Sequence, residues 1–189
     1  ATDSGQNTEL AARHIDLGPG HDFAVSGALA SMACGLPYAI AAGLAFPGRR
    51  VFAVVGDGGF AMQLGEFSTA VRYGIPLVVL VVKNGMLNQI AWEQMMFLGN
   101  PQFGCELAPI DFAQAAQAMG GRGFTIEDPA DVERVLDEAF AAKGAVVVQA
   151  VVDRYVPMLP PRVPPDYARN LRKALPGTPG HAQIEANLR

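Results

Sequence analysis

Asp57 stands in Gly56-Asp57-Gly58-Gly59 at the end of the apolar run Val51 to Val55. Asn84 follows 27 residues later, at the end of a second run, Leu77 to Val82. A carboxylate and a carboxamide at two strand ends offer hard oxygen donors, which is what a divalent cation carrying a diphosphate takes. Taken singly, Asp57 could shape a turn and Asn84 could cap the helix that follows. Taken together, at the carboxyl ends of two strands, they converge where open α/β sheets bind ligands.

The hydrophobic pattern shows which elements would position that pair. Apolar, β-rich runs at 23–25, 51–55, 77–82 and 145–152 alternate with helical patterns at roughly 35–45, 65–73, 111–119 and 129–142. Several runs lack polar alternation, as strands covered on both faces do. The alternation predicts an α/β fold, a three-layer sandwich with a mainly parallel central sheet and helices on both faces. Asp128-Pro129 reads as a helix start, Asp111 as a second cap, and Gly120-Gly121 as a stop. Residues 1–153 form the body of the domain and 154–189 a tail belonging to it. Five prolines between 157 and 165 make the start of that tail extended. A short helix with Tyr167, Leu171 and Leu175 on one face follows.

The bulk composition narrows the function classes. The chain has 189 residues, half of them hydrophobic, with a net charge of −4. That suits one sizeable domain and gives no general reason to expect nucleic acid. Residues 1–153 hold 8 basic and 16 acidic side chains, whereas 154–189 hold 6 and 2. A basic tail on an acidic body could dock on its own domain, a partner or an anionic surface. Two cysteines, Cys34 and Cys105, make no disulfide framework, and no signal peptide or membrane-length apolar run is visible. A reducing cytoplasm is the simplest compartment. His14, His21 and His181 lack metal-ligand spacing, and Glu66 and Glu93 read as solvated helix positions.

A competing reading exists. Gly56-Asp57-Gly58-Gly59-Phe60-Ala61 fits the loose Gly-x-Gly-x-x-Ala pattern of nicotinamide-binding folds. That pattern requires an acid for the ribose about 20 residues on, at the end of the next strand. The chain has Val82-Lys83-Asn84 there. A dinucleotide-binding oxidoreductase domain therefore remains an alternative, as does a non-catalytic binding or assembly domain of the same fold.

Gly-Asp-Gly, 25 residues and then Asn resembles the cofactor motif of thiamine diphosphate-dependent enzymes. Ala30-Ser31-Met32-Ala33-Cys34-Gly35-Leu36-Pro37 is similar to the segment preceding that motif in acetolactate synthase, pyruvate oxidase and benzoylformate decarboxylase relatives, and the proline-rich tail looks most like that of pyruvate oxidase-type members. The resemblance implies magnesium held by side-chain oxygens of Asp57 and Asn84 and the backbone carbonyl of Met86, with the diphosphate and a water completing the shell. It implies that Met32 wedges under the cofactor and bends it, while a carbonyl, that of Ala30, holds the pyrimidine amino group. Asp3-Ser4-Gly5-Gln6-Asn7-Thr8 resembles the loop that touches the diphosphate, with Ser4, Gly5, Gln6 and Asn7 as its contacts, and Ser31, Gly56, Gly58, Gly59 and Leu87 complete the expected cofactor contacts.

The same resemblance implies an enzyme acting on a 2-oxo acid such as pyruvate, by decarboxylation with oxidation or carboligation. It places the chain as the last of three domains, after one that binds the pyrimidine and one that in some members holds FAD, so a fragment is expected. No catalytic residue is assigned here. The activating glutamate belongs to the pyrimidine domain of a neighbouring subunit in a homodimer or homotetramer, and the chain alone should show negligible turnover. Membrane contact by the tail, known in some pyruvate oxidase relatives, is a weaker expectation than packing on protein. The chain departs from the family at Lys83, where members often carry Asn, and at Asn88, where they often carry Gly. Asn can adopt the left-handed backbone a glycine would occupy.

Overall fold

The computed structural model describes residues 1–160 and 162–188. Pro161, one of the five prolines read as extended, lies outside them. In chain order the helices are α1 (Gln6–His14), α2 (Gly35–Ala45), α3 (Asp57–Met62), α4 (Phe67–Arg72), α5 (Asn88–Met96), α6 (Phe112–Ala118), α7 (Val132–Ala141), α8 (Pro165–Ala174) and α9 (His181–Asn187). The strands are β1 (Val51–Gly56), β2 (Leu77–Lys83), β3 (Arg122–Ile126) and β4 (Val146–Val151). Two compact units form: Ala1–Lys83 with Pro109–Val152, and Asn84–Ala108 with the chain from Asp153 onward.

The first unit is built on a four-stranded, wholly parallel sheet in the order β1-β2-β4-β3. Side-chain alternation along each strand sorts its residues between two cores. Val51, Ala53 and Val55, then Leu77, Val79 and Val81, then Val147 pack with Leu36, Ala39, Phe67, Phe112 and Ala116 from α2, α4 and α6. Their neighbours Phe52, Val78, Leu80, Val146 and Val148 face Val135 and Ala139 of α7. Both faces are covered, so uninterrupted valine runs serve better than alternating ones. The expected three-layer α/β arrangement is the one observed.

Local chemistry sets the element ends. Asp111 Oδ1 accepts from the Gln114 N–H at 2.9 Å and caps α6, which gives way to Gly120 at φ 88°. Asp128 Oδ1 accepts from the Ala130 N–H at 2.9 Å, opening a 3-10 turn at Pro129–Asp131 that leads into α7. One expected strand is absent. Phe23–Val25 contributes a single bond, from the Thr2 N–H to the Ala24 carbonyl at 3.1 Å. The strand-like neighbour of β1 is the start of the chain, where Thr2 bridges Val54 in parallel and the Ala1 carbonyl accepts from the Val54 N–H at 2.9 Å.

The second unit packs α5 against α8. Trp92, Met95 and Met96 meet Leu171, Ala174, Leu175 and Ile184, with Tyr167 packed at a tilt of 45° on Phe97, ring centres 4.9 Å apart. The tail's 167-171-175 stripe is thus an inward face. Asn170 Nδ2 donates to the Met96 and Phe97 carbonyls at 3.0 and 3.1 Å, closing the end of α5. No helix among the described residues is long and apolar enough to cross a membrane.

Candidate functional site

Asp57 is the first residue of α3 and is buried, and its Oδ1 accepts from the Gly58 N–H at 2.9 Å. The glycine turn expected at 56–59 is therefore a helix start. Gly58 and Gly59 are helical and buried, and Gly59 is required by contacts from outside the motif. A Cβ on Gly59 would run onto Asp3 Oδ2 and lie 3.2 Å from the Ala33 nitrogen. Gly56 is similarly overlain, since a Cβ there would lie 3.4 Å from Asn7 Oδ1.

Met32 is half-buried on a turn between two alanines in the left-handed region, Ala30 at φ 49° and Ala33 at φ 63°. Such backbone costs about 1–2 kcal/mol for a residue with a Cβ, so the surroundings must hold it there. Several contacts do so. The Ser4 N–H donates to the Ser31 carbonyl at 3.4 Å, and the Ser31 N–H donates to Ser26 Oγ at 3.1 Å. Ser4 Oγ reaches the Ser26 carbonyl at 3.4 Å. Asp3 Oδ1 accepts from the Gly35 N–H at 2.6 Å, where α2 begins. Gly5, at φ 153°, and Gln6 lead into α1. Asn7 is committed to the fold: its Nδ2 donates to Thr2 Oγ1, the Asp3 carbonyl and the Val54 carbonyl at 2.8, 3.0 and 3.2 Å.

Asp3 is the residue that sequence reasoning missed. It is 2% exposed, and its Oδ2 has no hydrogen bond of normal geometry. Burial pushes its pKa above the ordinary carboxylate range, and the Gly35 and Ala33 N–H groups offset this only in part. An acid near the start of a chain carries no pattern that predicts burial. Its place at the head of the Asp3–Thr8 loop was the only available signal.

In the second unit, Asn84 Oδ1 accepts from the Met86 N–H at 3.0 Å. Met86 bridges Glu106 in antiparallel fashion, flanked by Leu87 N–H to the Cys105 carbonyl at 2.8 Å and Leu107 N–H to the Gly85 carbonyl at 3.0 Å. In such a pair the central residue exchanges no bond with its partner, so the Met86 carbonyl points away from the pairing. The left-handed residue of this loop is Gly85, at φ 70°. Asn88 opens α5 in ordinary helical conformation, so the left-handed backbone considered for it does not occur.

In the first unit Asp57 offers a carboxylate, and in the second Asn84 offers an amide oxygen and Met86 a carbonyl; each is a hard oxygen donor of the kind magnesium takes. Among the described residues no three His, Cys, Asp or Glu side chains group to hold a metal by themselves. Lys83 does not stand loose beside these groups: its Nζ donates to Gln149 Oε1 at 3.3 Å.

Comparison with known proteins identifies the family of the chain. Residues 3–150 match the model of the thiamine pyrophosphate enzyme, C-terminal TPP binding domain. The chain is 36% identical over 158 residues to YdaP of Bacillus subtilis, described as containing thiamine pyrophosphate, covering 84% of this chain and 27% of that protein. It is 36% identical over 162 residues to the mitochondrial acetolactate synthase catalytic subunit of Saccharomyces cerevisiae, covering 84% and 23%. It is 34% identical over 148 residues to the acetolactate synthase large subunit of Haemophilus influenzae, covering 78% and 26%. The chain spans about a quarter of the length of these relatives. With the parallel sheet, the buried Asp57 and this match over most of its length, the chain belongs to the thiamine pyrophosphate enzymes, as their C-terminal cofactor-binding domain.

Proposed function

We propose that this domain holds the magnesium and diphosphate of thiamine diphosphate in an enzyme acting on a 2-oxo acid such as pyruvate. The observation that carries the reading is the register of the two neighbouring strands. Gly56 lies opposite Val82, so the chain leaves β1 into Asp57 and leaves β2 through Lys83 into Asn84. Parallel α/β sheets bind ligands at such carboxyl ends.

In this reading Asp57, Asn84 and the Met86 carbonyl hold the cation, with Leu87 beside them. Ser4, Gly5, Gln6 and Asn7 present amides and short polar groups to the diphosphate, and the bare backbone at Gly56, Gly58 and Gly59 admits close approach. Met32 bends the cofactor, aided by Ser31 and the Ala30 carbonyl. When bound, the cofactor supplies the electron sink for decarboxylation; the protein's part is to bind, orient and bend it. The names of the similar proteins favour an acetolactate synthase-type condensation over oxidation with FAD. The activating glutamate would come from the pyrimidine domain of a neighbouring subunit, in a cytoplasmic homo-oligomer.

Calorimetric titration of thiamine diphosphate into the full-length protein, with and without magnesium, tests the reading. A magnesium-dependent signal that Asp57→Ala abolishes is expected. Equal binding with and without the metal, or an unaffected Asp57→Ala variant, would remove its basis.

A further inference from the structure

We propose that Arg154 is a positioning residue for the Asn84–Met86 loop, coupling the start of the tail to the cation ligands; this rests on the reading of that loop given above. Arg154 Nη2 donates to the Gly85 carbonyl and to Glu106 Oε2, each at 2.7 Å. The Gly85 carbonyl and the Met86 N–H belong to one peptide unit. Its oxygen is held by Arg154 and by the Leu107 N–H, and its N–H by Asn84 Oδ1. The unit is therefore gripped at both ends.

That grip matters because of Gly85. At φ 70° a glycine opposes rotation of the following peptide less than any other residue does. Rotation of this peptide would break the bond that orients the Asn84 amide and would re-aim the backbone toward the Met86 carbonyl. Both are proposed ligands. A charged donor on the Gly85 oxygen is the stronger of its two partners.

Fold stability alone does not account for this arrangement. Glu106 is 63% exposed, and an exposed ion pair contributes little. Arg154 also leaves its Nε buried without a partner, which is unfavourable. The backbone from which Arg154 projects is nevertheless held, because Asp153 Oδ1 accepts from the Tyr155 N–H at 2.8 Å and Asp153 Oδ2 accepts from Asn187 Nδ2 at 3.1 Å.

The test uses the full-length protein with Arg154→Met and Arg154→Lys. Amide hydrogen exchange over residues 84–88, measured without metal or cofactor, should quicken in Arg154→Met. Lys should restore part of the protection, because it can still donate to the Gly85 oxygen. With thiamine diphosphate present, magnesium affinity should fall about 10–100-fold in Arg154→Met, the usual effect of losing a residue that orients a metal ligand. Urea unfolding of the metal-free protein should move little. Unchanged exchange overturns the proposal. So does unchanged magnesium affinity in a protein whose wild type binds the metal. A wild type with no magnesium-dependent binding overturns instead the reading of the loop, while the exchange result still decides whether Arg154 clamps the peptide.

Discussion

Asp3→Asn should gain stability relative to the wild type as pH rises from the acid range toward neutrality. Asp3 is buried in the first unit, and burial raises its pKa against the smaller, opposite pull of the Gly35 and Ala33 N–H groups. The sign follows from linkage. Between the unfolded and the raised folded pKa the native state keeps a proton that the unfolded chain has lost. Wild-type stability is then greatest below the unfolded pKa and falls as pH rises through the folded one. Asn does not ionise, so the difference between the two proteins isolates this group. The charged hydrogen bond to Gly35 at 2.6 Å contributes about 1.5–3 kcal/mol, while an unpartnered buried Oδ2 costs about 1–3 kcal/mol or more. These nearly cancel, and Asn keeps an acceptor for the Gly35 N–H. At neutral pH Asp3→Asn should therefore lie within about 1 kcal/mol of the wild type, on the stable side. Asp3→Ala removes the acceptor and strands the Gly35 N–H, which should cost about 1–3 kcal/mol at every pH. Urea unfolding of the three proteins in steps from about pH 3 to about pH 7 measures both effects. A gap that moves in favour of the wild type as pH rises would mean that the N–H groups outweigh burial, and would refute the reasoning.

Two further substitutions probe the same unit. Gln149→Leu should cost about 3 kcal/mol in urea unfolding, because it strands the buried Phe112 N–H and removes partners from Thr125 and Lys83; a loss below about 1 kcal/mol would contradict this. Ala33→Gly should relieve about 1–2 kcal/mol of left-handed strain against roughly 0.5–1 kcal/mol of added chain entropy. Its stability should rise slightly while thiamine diphosphate binding weakens through a slacker Met32 turn, and movement of both in the same direction would count against the strained turn as a positioning device.

Much of the sheet was legible because β1, β2 and β4 are buried on both faces and so appear as apolar runs, interrupted in β4 by Gln149. β3 was not. Arg122-Gly123-Phe124-Thr125-Ile126 lies at the sheet edge with a mixed burial pattern, and Gly123 is required because a Cβ would strike the Ala113 backbone. α5 was missed for the opposite reason: Asn88, Ala91, Trp92, Met95 and Met96 are all buried, leaving no single polar stripe to mark a helix. α3 hides behind its two glycines, which read as a turn by propensity, although the second, Gly59, is required by the approach of Asp3. The proposed cation ligands could be named because oxygen-bearing residue types at strand ends carry their own chemistry. Asp3 and Arg154 could not, because their roles exist only through contacts made across the fold.

Lys83 shows how the sheet keeps its ligand edge in order. The resemblance leads to the expectation of an asparagine there in many members, and a lysine brings a charge to the residue just before a proposed ligand. The structure directs that charge along the sheet to Gln149, whose Oε1 also accepts from the Phe112 N–H at 3.0 Å. Gln149 Nε2 in turn donates to Asp111 and Thr125 at 3.1 and 2.9 Å, so one buried amide ties β2, β4, β3 and the cap of α6 together. All four of its hydrogen-bonding positions are filled, which makes the network stabilising where a half-filled one would not be. Lys83 therefore holds the end of β2 against β4 immediately before Asn84. Lys83 thus helps to give β2 a rigid end from which the loop at Asn84 starts.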